Sequence, residues 1–408
     1  MKKISILLVA IGGYGSSYMD ALLDNDVEEA FVIAGIVDPV PENYSRYDEV
    51  IRRNIPVYSS MEEFYAQSDA DLAVISSPIQ YHAIQTYTAL KYESNVLCEK
   101  PITATIQDAK KLIEFSKKTG KFVAVGFQWS YNDAILSLKH DIMSGVFGEA
   151  KAMKALVLWP RSHRYFNRNN WSGKKKDCNG QWVLDSVANN AAAHYLHNMF
   201  FLLGNEMNRS AKPTAVQAEL YKANPIENFD TVAARVMTEK EVEILFYASH
   251  AVSQEHEPVF KFTFERGTVS YNTFEDKNII ARMQDGNMID YGDPNIGHIN
   301  KLWAAIKAVR NGGTLPCTIE TASSQVLCVN GMQESVPDIA EFPQSVIKYK
   351  YDRENGDKLT YVNGLEDIFL QCFQLEKLPN QIGIPWAKSG KEVSLMNYKY
   401  FGHGNCSC

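Results

Sequence analysis

The sequence contains no CxxC pair. Its seven cysteines (Cys98, Cys178, Cys317, Cys328, Cys372, Cys406 and Cys408) are odd in number and scattered. That excludes a disulfide framework and the common zinc spacings, so reduced thiols in a cytoplasmic protein, with no metal site, are expected. The terminal Cys406-Ser407-Cys408 is read as a frayed tail rather than a metal or redox site. No stretch approaches the ~18 apolar residues of a membrane helix. The net charge is −7 and no long basic block occurs, so neither a membrane nor a nucleic-acid partner is expected. The one local cluster, Lys174-Lys175-Lys176, reads as a solvated loop. There is no internal repeat and no low-complexity tract.

Met1-Lys2-Lys3 followed by Ile4 to Ile11 has the outline of a signal peptide. The apolar run is short, however, no small-x-small site follows, and Gly12-Gly13-Tyr14-Gly15 comes directly after it. A buried first strand accounts for the run better.

What is present is an ordinary globular balance, 45% hydrophobic and 22% charged residues over 408 positions. At roughly 100–200 residues per domain this predicts two or three domains. The first third alternates short, continuously apolar runs (Ile4–Ala10, Phe31–Val37, Leu72–Ser76, Val96–Cys98, Phe122–Gly126) with helical patterns (Ser16–Leu23, Pro41–Arg53, Met61–Ala66, Tyr81–Lys91, Ile106–Lys118). Continuous apolar strands are those of a sheet covered on both faces, and strand–helix repetition predicts a doubly wound parallel sheet with right-handed crossovers. After Trp129 the pattern changes. Helices are predicted at Asn132–Ser144, Asn190–Leu203, Ile299–Arg310 and Ile319–Glu334. Strands are predicted at Ala150–Trp159, Ala215–Tyr221, Thr231–Met237, Val242–Ala248, Val259–Phe264, Thr268–Phe274 and Ile279–Met283, with Glu265-Arg266-Gly267 as an antiparallel turn. The expected fold class is α/β: a Rossmann domain over residues 1–129, then an α+β domain over 130–408 with a large, mostly antiparallel open sheet. An open sheet face usually needs covering, which predicts a homodimer or homotetramer. The segment after Pro337 has no clear pattern.

The first strand runs into Ala10-Ile11-Gly12-Gly13-Tyr14-Gly15 and then a helix, which is GxGxxG with alanine in the first place. Gly12 would let the backbone approach a pyrophosphate, and Gly15 would allow close helix–strand packing. N–H groups at the helix start would face the phosphates. The alternative is a glycine-rich turn with no ligand. A second signal is Asp38, at the end of strand two and 23 positions after Gly15. An acid about 20 positions on is the expected ligand of the adenine ribose hydroxyls. Its charge would repel the extra phosphate of NADP, and no Arg follows at once, so NAD is favoured. The alternative is a surface Asp in an Asp-Pro turn.

Ser76-Ser77-Pro78 with His82, and Cys98-Glu99-Lys100-Pro101 after another strand, complete a set that resembles the glucose–fructose oxidoreductase, inositol dehydrogenase and MocA family. The resemblance covers roughly residues 1–335 and is firmest to about 130. It implies a Rossmann domain followed by an α/β domain with a large open sheet. It implies NAD(P)-dependent oxidation or reduction of hydroxyl groups on sugars, inositols and related polyols. By position, Ser76, Ser77, Pro78 and His82 match the loop near the dinucleotide, Glu99 and Lys100 the pair beside the nicotinamide, and Gln128 an amide near it; Trp129 stands where the family often has Arg. The Lys100–Pro101 bond is often cis in the family. Independently, a Lys at the carboxyl end of a parallel strand points into the crevice where such sheets bind ligands, unless it only pairs with an acid such as Glu99.

The family also has an Asp-x-Gly-x-His-x-x-Asp motif on a helix ending in Leu-Gly. Here the matching residues are Asn190, His194 and His197, so the motif Asp is an amide and the distal Asp a histidine. The three share a helix face by spacing. His194 is the candidate base, with a satisfied core histidine as the alternative. Asn190 cannot ionise near neutral pH and would orient substrate; Asp185 would supply the missing carboxylate if the helix starts differently. Lys100 would stabilise the developing alkoxide. In the loop from Trp159 to Trp171, Arg164, Tyr165 and Trp171 are candidate substrate contacts, as is His197; an equal alternative for the loop is a subunit contact. Two rival functions remain on this reading: an NAD-dependent glycosidase that oxidises its substrate transiently, and a non-catalytic NAD-binding sensor.

Overall fold

A computed structural model describes residues 3–25, 30–272, 276–352 and 356–402 of the chain. Cys406, Cys408 and Phe274 lie outside the described residues. The chain forms two compact units, one of Met1–Thr103, Gln107–Asn132 and Gly297–Ser323, the other of Ala104–Ile106, Asp133–Ile296 and Ser324–Cys408.

The first unit carries β1 (Ile4–Val9), α1 (Gly15–Asp24), β2 (Phe31–Val37), α2 (Tyr47–Arg52), β3 (Val57–Tyr58), α3 (Met61–Tyr65), β4 (Leu72–Ile75), α4 (Ile79–Lys91), β5 (Asn95–Cys98), α5 (Ile106–Thr119) and β6 (Val123–Val125). Its six strands lie in the order β3-β2-β1-β4-β5-β6, and every pairing is parallel. This is the Rossmann order, with the switch point between β1 and β4. The apolar strands are the reason: Leu72, Ala73, Val74 and Ile75 are all buried, as β-branched and aliphatic residues must be in a sheet covered on both faces.

The second unit carries α6 (Asp133–Met143), β7 (Ala150–Leu158), α7 (His163–Asn167), α8 (Ala193–Leu202), β8 (Pro213–Lys222), β9 (Thr231–Thr238), β10 (Glu243–Ser249), β11 (His256–Phe264), β12 (Gly267–Asn272), β13 (Asp276–Met283) and β14 (Met288–Gly292). After α9 (Asn300–Asn311) and α10 (Ile319–Ser335) come β15 (Ala340–Glu341), β16 (Ile347–Asp352), β17 (Asp357–Val362), α11 (Leu365–Leu375) and β18 (Val393–Ser394). The large sheet has ten strands, in the order β14-β13-β12-β11-β7-β10-β9-β8-β15 with β18 on β8. It is mixed: β7 and β10 run parallel, as do β8 and β15, and the other pairs are antiparallel. The Glu265–Gly267 turn joins β11 to β12 as expected.

Two features depart from the sequence reading. First, Gly297–Ser323, assigned there to the second domain, belongs to the first unit. Leu302, Ala305 and Ile306 of α9 are buried, and the Val125 N–H donates to the Cys317 carbonyl at 3.0 Å. Second, over β7 to β10 the sheet face is not open. Alternate residues Leu156, Leu158, Tyr221, Ala233, Leu245 and Tyr247 form one apolar surface, and Phe342, Ile347, Val362, Leu365, Phe369, Cys372 and Leu378 pack on it. Polar contacts lock this cover: Lys154 Nζ donates to the Phe373 carbonyl and to Glu376 Oε1, both at 2.8 Å, and the Tyr247 hydroxyl to the Lys377 carbonyl at 3.0 Å. Over these strands the chain itself covers this face of the sheet. Among the described residues no helix is long and apolar enough to cross a membrane.

Candidate functional site

In the first unit the candidate residues follow the carboxyl ends of β1, β2, β4, β5 and β6, the edge where open parallel sheets bind ligands. The chain leaves β1 through Ala10, whose φ of 64° puts a non-glycine residue in the left-handed region, a conformation costing about 1 kcal/mol. A Cβ built on Gly12 or Gly13 meets nothing within 4 Å, so the loop offers bare backbone to a ligand. Gly15 is the opposite case: its Cβ would lie 2.0 Å from the Ala10 carbonyl oxygen and 2.7 Å from Ser76 Oγ. It is the point where α1 touches the end of β1.

Asp38 is the loop's anchor. Its Oδ2 accepts the Ile11 N–H at 2.8 Å and its Oδ1 the Val40 N–H at 2.9 Å. Each carboxylate oxygen has a second lone pair, so these bonds leave acceptor capacity for a hydroxyl. Ser76 bridges the switch point, donating from Oγ to the Ala10 carbonyl at 2.8 Å. Ser77 Oγ donates to Gln85 Oε1 at 2.5 Å, and Pro78 leads into α4. His82 on α4 is buried, with its ring nitrogens each 2.7 Å from a carbonyl oxygen, of Pro101 and of Ser77. It ties the β4 and β5 loops together. Burial lowers its pKa, and the two carbonyls oppose the shift.

Lys100 is half-buried and its peptide bond to Pro101 is cis. Glu99 is buried, and sequence reasoning missed its partners. Its Oε1 accepts from Lys301 Nζ and from the Tyr18 hydroxyl, both at 2.5 Å, while Oε2 accepts the Lys100 N–H at 3.2 Å. Burial pushes the carboxyl up, but Lys301 and Tyr18 outweigh it and hold Glu99 below its ordinary range. Gln128 is half-buried at the start of a 3₁₀ turn, and Trp129 beside it is buried.

In the second unit α8 begins at Ala193, three residues later than expected, and hydrogen-bonded turns over 186–192 lead into it. Asn190 Nδ2 donates to Asp185 Oδ1 at 2.9 Å, and Asp185 Oδ2 accepts the Gly173 N–H at 2.7 Å. A buried carboxylate therefore does accompany Asn190. His194 is half-buried one turn further on. Tyr165 belongs to the same neighbourhood: burial raises its phenol pKa, Asp185 adds to this, and Arg168 opposes it from 3.7 Å over the ring. Trp171 is half-buried, with the Arg168 guanidinium 5.3 Å from its ring. Arg164 is exposed, and its N–H donates to Asp357 Oδ1 at 3.2 Å.

His197 does not meet the expectation of a substrate contact. It is 1% exposed and stacks on Phe201 at 5.9 Å, within a helix buried over nearly its whole circumference. Burial, helped by the Lys139 charge, pushes its pKa down to about 3. His250 behaves alike: it is buried, bonded through Nδ1 to the Trp159 carbonyl at 2.7 Å, and burial pushes it down to about 3. Unfolded, both imidazoles take up protons near pH 6.5; folded, they stay neutral until about 3. Stability is thus lost as the pH falls from 6.5, by about 2 kcal/mol per imidazole at pH 5. Denaturant unfolding at pH 7 and pH 5 should show this loss, and His197→Phe should remove part of it.

The sheet order and the bare glycine loop define a dinucleotide-binding Rossmann unit. Residues 4–127 match the model of the oxidoreductase family with an NAD-binding Rossmann fold. The chain is 29% identical over 143 residues to an inositol 2-dehydrogenase of Salmonella typhimurium, covering 35% of this chain and 42% of that protein. It is 31% identical over 118 residues to an uncharacterized oxidoreductase of Schizosaccharomyces pombe, covering 29% and 31%. The alignments thus span less than half the length of these relatives. The fold matches the WlbA dehydrogenase of Bordetella pertussis, solved with NADH and UDP-GlcNAcA, at a TM-score of 0.67 and 19% identity over 83% of this chain and 97% of that one.

Proposed function

We propose that this protein is an NAD-dependent oxidoreductase acting on a secondary alcohol of a sugar, inositol or related polyol. The observation that carries the reading is the bare Gly12–Gly13 backbone, anchored by Asp38 and placed at the switch point of a sheet from an NAD-binding family. When bound, NAD supplies the hydride acceptor. Gly12, Gly13, Tyr14 and Gly15 form its phosphate loop, and Asp38 accepts from the ribose hydroxyls. Ser76, Ser77, Pro78 and Gln128 line the rest, and His82 and Glu99 hold those loops in place. Lys100 donates to the reacting oxygen and stabilises its developing charge. For the second unit taken by itself, His194 is our candidate base and Asn190, held by Asp185, a candidate substrate ligand. Tyr165 and Trp171 offer aromatic faces to sugar C–H surfaces, and Arg164 a cation for a carboxylate. The carboxylate beside Asn190 favours a working site over a sensor that has lost its acid.

A panel of sugars, inositols and sugar acids with NAD or NADP, followed by the absorbance of reduced nicotinamide, tests this. Net NADH formation, faster with NAD than with NADP, is expected. Asp38→Asn should weaken NADH binding roughly 10–100-fold, as loss of charge-assisted hydrogen bonds does. No turnover across the panel, with tight NADH binding, overturns the dehydrogenase reading; release of a free sugar with no net NADH points to the glycosidase.

A further inference from the structure

Lys301 is 1% exposed and lies on α9, 202 positions beyond Glu99 and further still beyond the glycine loop, yet inside the same unit. A buried ammonium is retained only with good partners. Lys301 Nζ donates to Glu99 Oε1 at 2.5 Å and to the Gly126 carbonyl at 3.1 Å. It also lies 4.4 Å from the ring centroid of Tyr14 and 5.3 Å from that of Tyr18. The carboxylate it holds sits directly against backbone: a Cβ on Gly126 would lie 2.6 Å from Glu99 Oε1. One cation thus gathers the glycine loop through Tyr14, the first helix through Tyr18, the end of β5 through Glu99, and the end of β6 through Gly126. These segments carry or border the residues assigned above to the dinucleotide.

We infer that Lys301 is a positioning residue of the dinucleotide site, holding the glycine loop, the Glu99–Lys100 turn and the end of β6 in one fixed arrangement. Buried as it is, it acts through those segments and touches no ligand. It also serves as the counter-ion of Glu99, whose remaining cationic neighbour is Lys100. Removing Lys301 therefore loosens three loops at once and leaves the Glu99 charge to Lys100. The inference rests on the reading of this unit as a dinucleotide site.

Its test uses the full chain as wild type, Lys301→Met, Glu99→Gln and the double variant, with thermal unfolding and fluorescence titration of NADH as readouts. Lys301→Met alone should lower both stability and NADH affinity, because it strands a buried carboxylate. Removing both charges together is far better tolerated, so the double variant should regain most of the stability. Its NADH affinity should nevertheless stay roughly tenfold or more below wild type, because the loops are no longer tied together. A double variant with wild-type stability and wild-type NADH affinity overturns the inference and leaves Lys301 a purely structural residue. A wild-type protein that binds no NADH overturns the proposed function, and this inference with it.

Discussion

Lys100→Ala is expected to lower turnover by about 10²–10³-fold while NADH affinity changes little. The magnitude is that of removing one preorganised group aimed at a developing oxyanion. The position carries the argument. Lys100 follows the carboxyl end of β5, is half-buried, and stands next to a carboxylate already taken by Lys301 and Tyr18. Its neighbour Glu99 therefore has another buried cation as counter-ion, which answers the reading of Lys100 as a merely structural partner of that acid. Initial rates on the substrate found by the panel, beside an NADH titration, check this. Unchanged turnover would take Lys100 out of the chemistry.

The second large effect separates two glycines three residues apart. Gly15→Ala should cost about 3 kcal/mol or more, since the added methyl would meet the Ala10 carbonyl oxygen at 2.0 Å and the obstacle is backbone. Gly12→Ala should change stability by no more than about 0.5 kcal/mol, since its methyl enters open space. Yet that space is where the loop would admit a pyrophosphate, so NADH affinity should fall roughly tenfold. Denaturant unfolding and NADH titration on both variants give a crossed result. Equal losses of stability would refute the division of labour between packing and ligand approach.

The first sheet was legible in the sequence because burial on both faces leaves uninterrupted apolar runs such as Leu72–Ile75, bounded by glycine, proline and acidic residues. The glycine loop and Asp38 were legible because their spacing is fixed by one strand–helix–strand crossover. Lys301 was not, since a lysine gives no local sign of burial and its partner lies 202 positions away. The face argument that joined Asn190, His194 and His197 failed at His197 for a definite reason. Helical spacing tells which residues share a face only when the helix has a solvent or ligand face, and in α8 every residue from Tyr195 to Leu202 is buried. The region after Pro337 did carry a pattern: Leu365, Ile368, Phe369 and Cys372 recur at helical intervals. What the pattern lacked was its target, a surface made of alternate residues on strands more than a hundred positions upstream.

The Glu99–Lys301 pair also sets an order of events during synthesis. A nascent chain grows at about 5–20 residues per second, so about 10–40 s pass between the emergence of Glu99 and that of its counter-ion. For most of that interval all six strands of the Rossmann sheet have been synthesised, but the acid at its ligand edge lacks the Lys301 ammonium. The N-terminal unit thus cannot finish before β7 to β14 of the second unit's large sheet have been synthesised, although most of it is encoded first.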